Sequence, residues 1–297
     1  MKRINLDQID SWLAVLDCGS FHEAGRRLSR SQATVSQHIQ RLEEHLGGKL
    51  LTRGHSRCMP TPFGRRFAPI ARSLVAGESR AMELRTQSAP RLGACSNIGT
   101  YLLPQVLAQY SGCEAQPSIR IGTNPEIAEA LQDGCLDIGL LEWWSPRTDF
   151  VAMQWRCEPM IAICPPGHRW ATRSKVTLRD LFSEPLIGGE PGTGTGRLLR
   201  EMLSKGASLP APVMELGSTE AVKRAVAAGL GVSIVLESSS KLEVKHRSLL
   251  AFHLEPEVSK ALWLVRNAHF DPNTPLFSHL AGLQESAADD ICTEAVE

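Results

Sequence analysis

The sequence predicts an α+β protein of several domains: a small helical head with a wing, one long helix, and a two-lobed α/β body. Three observations predict it. Residues 19–47 carry two amphipathic helical patterns joined by a tight turn. Residues 61–87 carry one unbroken helical pattern. Beyond Ser88-Ala89-Pro90, short apolar runs alternate with helical patterns twice over, the sequence form of layered α/β structure. The expected limits are 1–60 for the head, 61–88 for the long helix and 89–297 for the body. Within the body, one lobe is expected over about 89–164 plus 268–297 and the other over about 165–267.

The head starts with a helix over 6–16, where Leu6, Ile9, Leu13 and Leu16 share one face with Trp12 beside them. A compact helix follows over 21–28, with Phe21, Ala24 and Leu28 on one face, ending at Ser29-Arg30. Ser31 stands where an N-cap is expected. In the next helix Val35, Ile39, Leu42 and Leu46 fall at i, i+4, i+7 and i+11, a single apolar stripe. Thr34, Gln37, His38 and Arg41 lie opposite, with Ser31 and Gln32 at the start. Two helices joined by so short a turn form a helix-turn-helix. A helix held by one stripe, with hydrogen-bonding side chains at its free N-terminal end, suits the reading of base edges in a major groove. On these residues alone, the same face also fits a helix whose polar side is merely solvated. Gly47-Gly48 ends the helix. Residues 49–60 then read as two short strands around Gly54-His55-Ser56, a wing from which Arg53 and Arg57 project toward phosphate or the minor groove.

Thr61-Pro62 supplies a capping hydroxyl and a first-turn proline. The helix it opens is expected to reach about Gln87. Phe63, Phe67, Ile70, Leu74, Gly77, Ala81 and Leu84 advance by alternating steps of four and three, a heptad seam that thins at Gly77 and Ala81. Such a seam on a small head calls for a twin, so a dimerisation helix is expected. Two heads on a dimer imply a two-fold, roughly palindromic site on double-stranded DNA.

In the body, strands are expected at 91–96, 118–122, 136–141 and 151–164, and helices at 100–110 and 126–132. Pro165-Pro166-Gly167 breaks the pattern. It restarts with strands at 185–188, 213–216 and 232–235, helices at 196–203 and 220–228, late strands near 249–254 and 261–265, and a helix over 275–286. Two such units suggest lobes around a cleft. In open α/β sheets, ligands collect at strand carboxyl ends near helix N-termini. Two turns fit: Ser96-Asn97-Ile98-Gly99-Thr100, and the run from Glu190 to Gly196 that holds Thr193, Gly194 and Thr195. Asn124 and Ser218-Thr219 occupy turns of the same kind. Free N–H groups and the positive helix end favour an anion there, a small carboxylate, phosphate or similar oxyanion. The same residue types also cap helices with no ligand at all. Glu142, after the third strand, would oppose an anion, and the sequence leaves its direction open.

Composition narrows the classes. The formal net charge is zero, yet residues 1–88 carry 14 Lys+Arg against 8 Asp+Glu, and the remainder 18 against 24. A basic head on an acidic body suits a polyanion-binding module. No apolar run spans a membrane, and no apolar segment follows the basic start MKRINLDQID, so neither membrane association nor a secretory leader is expected. Cysteines at 18, 58, 95, 113, 135, 157, 164 and 292 form no CxxC pair, so free, mostly buried thiols in a reducing cytoplasm are expected, without a metal site. The glycine run at 192–196 lacks the ending of a P-loop, and Arg197 stands where a dinucleotide fingerprint needs glycine. No GxSxG, HExxH or paired-carboxylate context appears, so neither an enzyme nor a cofactor is expected. An enzyme on a two-lobed body and a solute-binding transport component are the alternatives; the lack of catalytic motifs speaks against the first, and the missing signal peptide and the basic helix-turn-helix against the second.

The head resembles that of LysR-type transcriptional regulators. The resemblance is carried by Gly19-Ser20-Phe21, Ala24, Leu28, Ser31-Gln32, Val35-Ser36, Ile39, Arg41-Leu42-Glu43, Leu46-Gly47, Leu50, Arg53, Thr61 and Gly64. Gly25, Ala33-Thr34, Gln37 and Leu51 depart from the usual pattern, which leaves the base preference of the reading helix open. The resemblance implies a winged helix-turn-helix that places Ser20 and Ser36 with Ser31, Gln32, Thr34, Gln37, Arg41, Arg53 and Arg57 at DNA. It also implies a body similar to periplasmic solute-binding proteins, a small-molecule effector between the lobes, dimers or tetramers, and RNA polymerase as a further partner at the promoter.

Overall fold

The computed structural model describes residues 4–53, 58–83, 89–110, 116–189, 197 and 211–283. They fall in two units, Met1–Ser88 with Gln132–Cys135, and Ala89–Leu131 with Leu136–Glu297.

In the head, α1 (Leu6–Cys18), α2 (Phe21–Arg27) and α3 (Gln32–Leu46) close around Ile9, Trp12, Leu13, Ala24, Val35, Ile39 and Leu42. These are the apolar stripes of the sequence turned inward. The ends follow local chemistry. Asn5 accepts from the Asp7 N–H at 2.8 Å and Ser31 from the Thr34 N–H at 3.0 Å. Gly19 and Gly47 end α1 and α3 at φ +70°, a left-handed conformation that costs glycine little. Ser29 adopts φ +53° in the turn, and the Arg30 N–H donates to the Gly25 carbonyl at 2.8 Å. A Cβ at position 25 would lie 2.8 Å from the Arg30 carbonyl oxygen, so glycine lets this turn wind closer than an alanine would.

The wing is an antiparallel pair, β1 (Leu51–Arg53) and β2 (Cys58–Pro60), with Thr52 opposite Met59. Its tip, with Arg57, lies outside the described residues. Thr61 then caps α4 (Pro62–Glu83): its hydroxyl accepts from the Gly64 N–H at 2.9 Å and donates to the Lys49 carbonyl at 2.6 Å. Residues 84–87, expected in this helix, lie outside the described residues. The expected single seam is two rows. Phe67 and Ala71 are buried in the head, with Phe63 and Val75 packed beside them. Ile70, Leu74 and Met82 are exposed. Pro69 lies between; it has no amide hydrogen to give the preceding turn, yet the helix continues through it.

The body is a mixed sheet. β3 (Arg91–Cys95) pairs in parallel with β4 (Ser118–Gly122) and β5 (Ile138–Leu141). Two long strands, β6 (Phe150–Cys164) and β11 (Leu250–Asn267), run antiparallel beside them, and β10 (Ser233–Leu236) completes the far edge. α5 (Leu103–Ala108), α6 (Asn124–Gln132) and α10 (Pro275–Gly282) cover lobe one. Lobe two adds β7 (Val176–Thr177), α7 (Leu178–Phe182), the parallel pair β8 (Ile187–Gly189) and β9 (Met214–Leu216), α8 (Thr219–Ala227) and α9 (Lys241–Lys245).

Three expectations are corrected. The late strands near 249–254 and 261–265 are one strand, β11, whose pairing with β6 lapses between His253 and Val258. Pro256 falls in that gap, where a residue without an N–H costs the ladder nothing. The lobes do not divide at residue 164. Trp155, Leu262 and Leu264 pack in the core of lobe one, while Met160, Ala162, Phe252 and Leu254 pack in that of lobe two, so both long strands serve both lobes. Cys157, expected as a free thiol, is disulfide-bonded. Sequence spacing does not report which sulfurs meet in space. Cys18, Cys58, Cys95, Cys135 and Cys164 are free, and burial pushes the Cys164 thiol up to about 12. The helix expected at 196–203 lies outside the described residues except for Arg197, which is helical.

Candidate nucleic-acid interface and ligand cleft

On α3, burial of Val35, Ile39 and Leu42 turns Gln37, Gln40 and Arg41 outward on the opposite face, and Gln32 is exposed at the helix start. The sequence-predicted Gln37 and Arg41 share one free face, where Gln40, which was not singled out, joins them and donates to Glu44 at 3.0 Å, and Gln32 stands exposed at the helix start. Ser31 and Thr34 sit at the N-terminal end with their hydroxyl oxygens 2.8 Å apart, so the cap holds both hydroxyls in place. Ser20 precedes α2, half-buried, and its side chain makes no cap bond there. Ser36 is half-buried and lines a groove with Phe21, Gln40 and Lys49. Arg53 ends β1. His38 is corrected: its Nδ1 lies 2.8 Å from the Ser11 hydroxyl on α1, so it faces the core side. Arg30 donates to the same hydroxyl at 3.1 Å and pairs with the Asp7 carboxylate.

The wing is tied to α3 by a residue that the sequence pattern marks without explaining. Glu43 is buried; its Oε1 accepts from the Leu50 N–H at 2.8 Å and its Oε2 from Lys49 Nζ at 2.7 Å. The helix and the first wing strand are therefore held together by one carboxylate.

In the body, the turn after β3 opens into a π-helical turn, Ile98–Leu102, in place of an ordinary helix start. Thr100 is exposed on it, while Ile98 and Gly99 are buried. A Cβ on Gly99 would come within 2.8 Å of the Ile121 side chain, so glycine permits this close approach to β4. Ser96 is exposed and donates to the Gly122 carbonyl at 2.9 Å. Asn97 is buried and donates to Glu142 at 3.0 Å. Glu142 is buried too, and its other oxygen accepts from Lys260 at 2.5 Å. The carboxylate expected to oppose an anion is therefore paired with a cation from β11. Cys95 donates to Glu142 at 3.6 Å, and burial, then the nearby carboxylate, holds its thiol well above the usual range.

Two predicted residues act as braces. Asn124 accepts from the Glu142 and Trp143 N–H groups at 2.7 and 3.3 Å and donates to the Trp143 carbonyl at 3.0 Å, so it fastens the end of β5. The cap of α6 is Thr123 instead, which accepts from the Glu126 N–H at 3.4 Å. Ser218 caps α8 by accepting from the Ala221 N–H at 3.2 Å. Thr193, Gly194 and Thr195 lie outside the described residues. Next to them in the chain, Arg197 of lobe two stands 4.9 Å from the Trp143 ring centroid, and Lys260 stands 5.7 Å from it. Ser96, Asn97 and Thr100, the Glu142–Lys260 pair and Trp143 thus gather at the carboxyl ends of the lobe-one strands, and Arg197 reaches them from lobe two. Lys260 and Trp143 were missed because neither belongs to a motif; each gains its place through the sheet register.

Among the described residues no helix is long and apolar enough to cross a membrane, and no His, Cys, Asp and Glu group could hold a metal ion. Residues 6–65 match the family model described as bacterial regulatory helix-turn-helix protein, lysR family. Residues 86–282 match the LysR substrate binding domain. The chain is 40% identical over 190 residues to PtxE of Stutzerimonas stutzeri, spanning 63% of this chain and 97% of that protein. It is 31% identical over 270 residues to the HTH-type transcriptional regulator YeiE of Escherichia coli, spanning 89% and 92%. A full-length OxyR variant from Pseudomonas aeruginosa shares the fold, with a TM-score of 0.71 at 21% identity and 95% of each chain covered. The two family models follow one another along the chain and together span most of it, and the chain belongs to the LysR-type transcriptional regulator family.

Proposed function

We propose that this regulator reads a two-fold, roughly palindromic promoter site as a dimer or higher oligomer in the cytoplasm, and that a small anionic effector between the lobes of its body switches it. Gln32, Gln37 and Arg41 meet base edges; Ser20, Ser31, Thr34 and Ser36 orient the helix on the backbone; Arg53 and Arg57 of the wing take phosphate or the minor groove. The exposed row of α4 joins two chains. The effector lies against Ser96, Asn97 and Thr100, with Thr193, Gly194, Thr195 and Ser218 from the opposite lobe and the half-buried Lys260, paired with Glu142, beside it. RNA polymerase is engaged by the DNA-bound oligomer.

The observation that carries the DNA reading is the free face of Gln37 and Arg41, with Gln32 exposed at the N-terminal end, on a helix whose other face is locked in a core. The test is binding of the full chain to its own upstream DNA against scrambled DNA of equal length, across a salt series. A preference for the upstream DNA with a footprint of two half-sites is expected. Gln32→Ala should cost about 1–3 kcal/mol of discrimination at one base step, and Arg41→Ala should weaken binding and lower its salt dependence. Unchanged specificity in both variants removes α3 as the reader.

A further inference from the structure

Lys223 of α8 is 3% exposed. Its Nζ donates to the Ser239 carbonyl at 2.7 Å and to Glu243 at 2.6 Å, and pairs with Glu220 at 2.9 Å. A buried ammonium is costly unless fully partnered. Here burial works to lower its pKa, and the hydrogen bonds it donates to Glu243 and Glu220 outweigh burial, so the net shift is upward. All three of those partners belong to lobe two. The fourth does not. The ring of Tyr101, on the π turn of lobe one, has its centroid 4.8 Å from Lys223 Nζ, within reach of a cation–π interaction. The Tyr101 hydroxyl donates to Glu220 Oε2 at 3.3 Å, the same oxygen that pairs with Lys223.

The placement ties this cluster to the cleft from both sides. Tyr101 is the next residue after Thr100 on one π-helical turn, a rare winding that recurs at functional sites. Glu220 and Lys223 stand on the first turns of the helix capped by Ser218. A movement of residues 96–100 therefore carries Tyr101 with it, and a movement of the α8 N-terminus carries Glu220.

We propose that Tyr101, Glu220 and Lys223 form an interlobe latch that links the state of the 96–100 turn to the relative setting of the two lobes. The latch itself stands on these contacts; its coupling to an effector rests on the cleft reading above. Lobe one contributes a phenol that can leave and return. Lobe two keeps the ammonium satisfied by Glu243 and Ser239 in either case, so opening strands no unpaired charge.

The test is amide hydrogen exchange on the full-length protein, comparing wild type with Tyr101→Phe, Tyr101→Leu and Glu220→Gln. Phenylalanine keeps the ring over the ammonium and loses the hydroxyl; leucine loses both. Exchange should rise in 98–102 and also in 219–227, by about 2- to 10-fold, the factor set by one net hydrogen bond. The rise should be larger for leucine than for phenylalanine. Glu220 is half-exposed, so Glu220→Gln tests the same bond with little risk to folding. A rise confined to lobe one, or none in Tyr101→Leu, overturns the latch. DNA footprints of the same variants without added ligand test the coupling: an altered footprint supports it, and a wild-type footprint despite faster exchange in both lobes overturns it. Failure of the cleft reading shows separately, as a wild-type effector response in Thr100→Trp, and leaves the exchange results standing.

Discussion

Glu43 is the residue on which the head's geometry turns. Its carboxylate collects the N–H of Leu50 and the ammonium of Lys49, both beyond the end of α3. Glu43→Ala would leave the buried Leu50 N–H without an acceptor, and such a group costs about 1–3 kcal/mol. A lower unfolding midpoint of that size is expected in denaturant melts followed on the head, with Glu43→Gln intermediate because one acceptor oxygen remains. A melt superimposable on wild type would show that the wing is held by something else. Glu43 was visible in the sequence as part of a family pattern, and its task was not. Acceptor and donor are seven residues apart and meet only because Gly47 turns the chain back at φ +70°. The bracing task of Asn124 was hidden for the same reason. Its amide looks like a ligand in a strand-to-helix turn, yet its partners are the backbone groups of Glu142 and Trp143, eighteen and nineteen residues further on.

At the scale of elements, what was legible was local. Caps, glycine stops and apolar rows are set within four or five residues, and the helices of the head follow them closely. The π turn at 98–102 could not be read, because its winding answers to the contact of Gly99 with Ile121 on the neighbouring strand. The seam of α4 was half legible. Its periodicity was plain, but which residues the head itself would bury depends on where the helix leaves the wing. Gly64 sets that, since a Cβ there would stand 2.2 Å from the Leu50 carbonyl oxygen. What remains free is Ile70 at 57% exposure, Leu74 at 40% and Met82 at 77%, along a helix with open space around Gly77. Apolar side chains in a row on one helix are what a twin helix would bury. Leu74→Glu should therefore weaken dimers by about 2 kcal/mol or more, through an unpaired charge in an apolar seam. Light scattering should show smaller species at micromolar concentration, and affinity should fall more for a two-half-site duplex than for a single half-site. An unchanged mass would place the dimer contact elsewhere.

For the whole molecule, the division of charge and the division of labour coincide. The first 88 residues hold the basic excess, and the remaining 209 hold the acidic one. A polyanion is thereby drawn to the head, and repelled by the body unless a specific cation is offered. At the carboxyl ends of the lobe-one strands one such cation, Lys260, is already paired with Glu142. An anionic effector would join a neutral pair there, so hydroxyls, backbone N–H groups and helix ends must supply most of its binding energy. That makes the exposed Thr100 the informative position. A bulky side chain there should block the cleft without touching the head. Thr100→Trp is expected to bind operator DNA with wild-type affinity and footprint and to lose the effector response. In the wild type, linkage requires that an effector which changes DNA affinity by some factor has its own affinity changed by DNA by the same factor. Measuring both legs of that cycle, effector titration with and without operator and operator titration with and without effector, checks the account from two sides. Equal factors that both collapse to one in Thr100→Trp place the switch in the cleft. A Thr100→Trp protein that still responds would move the effector away from the 96–100 turn while leaving the DNA-reading face of α3 intact.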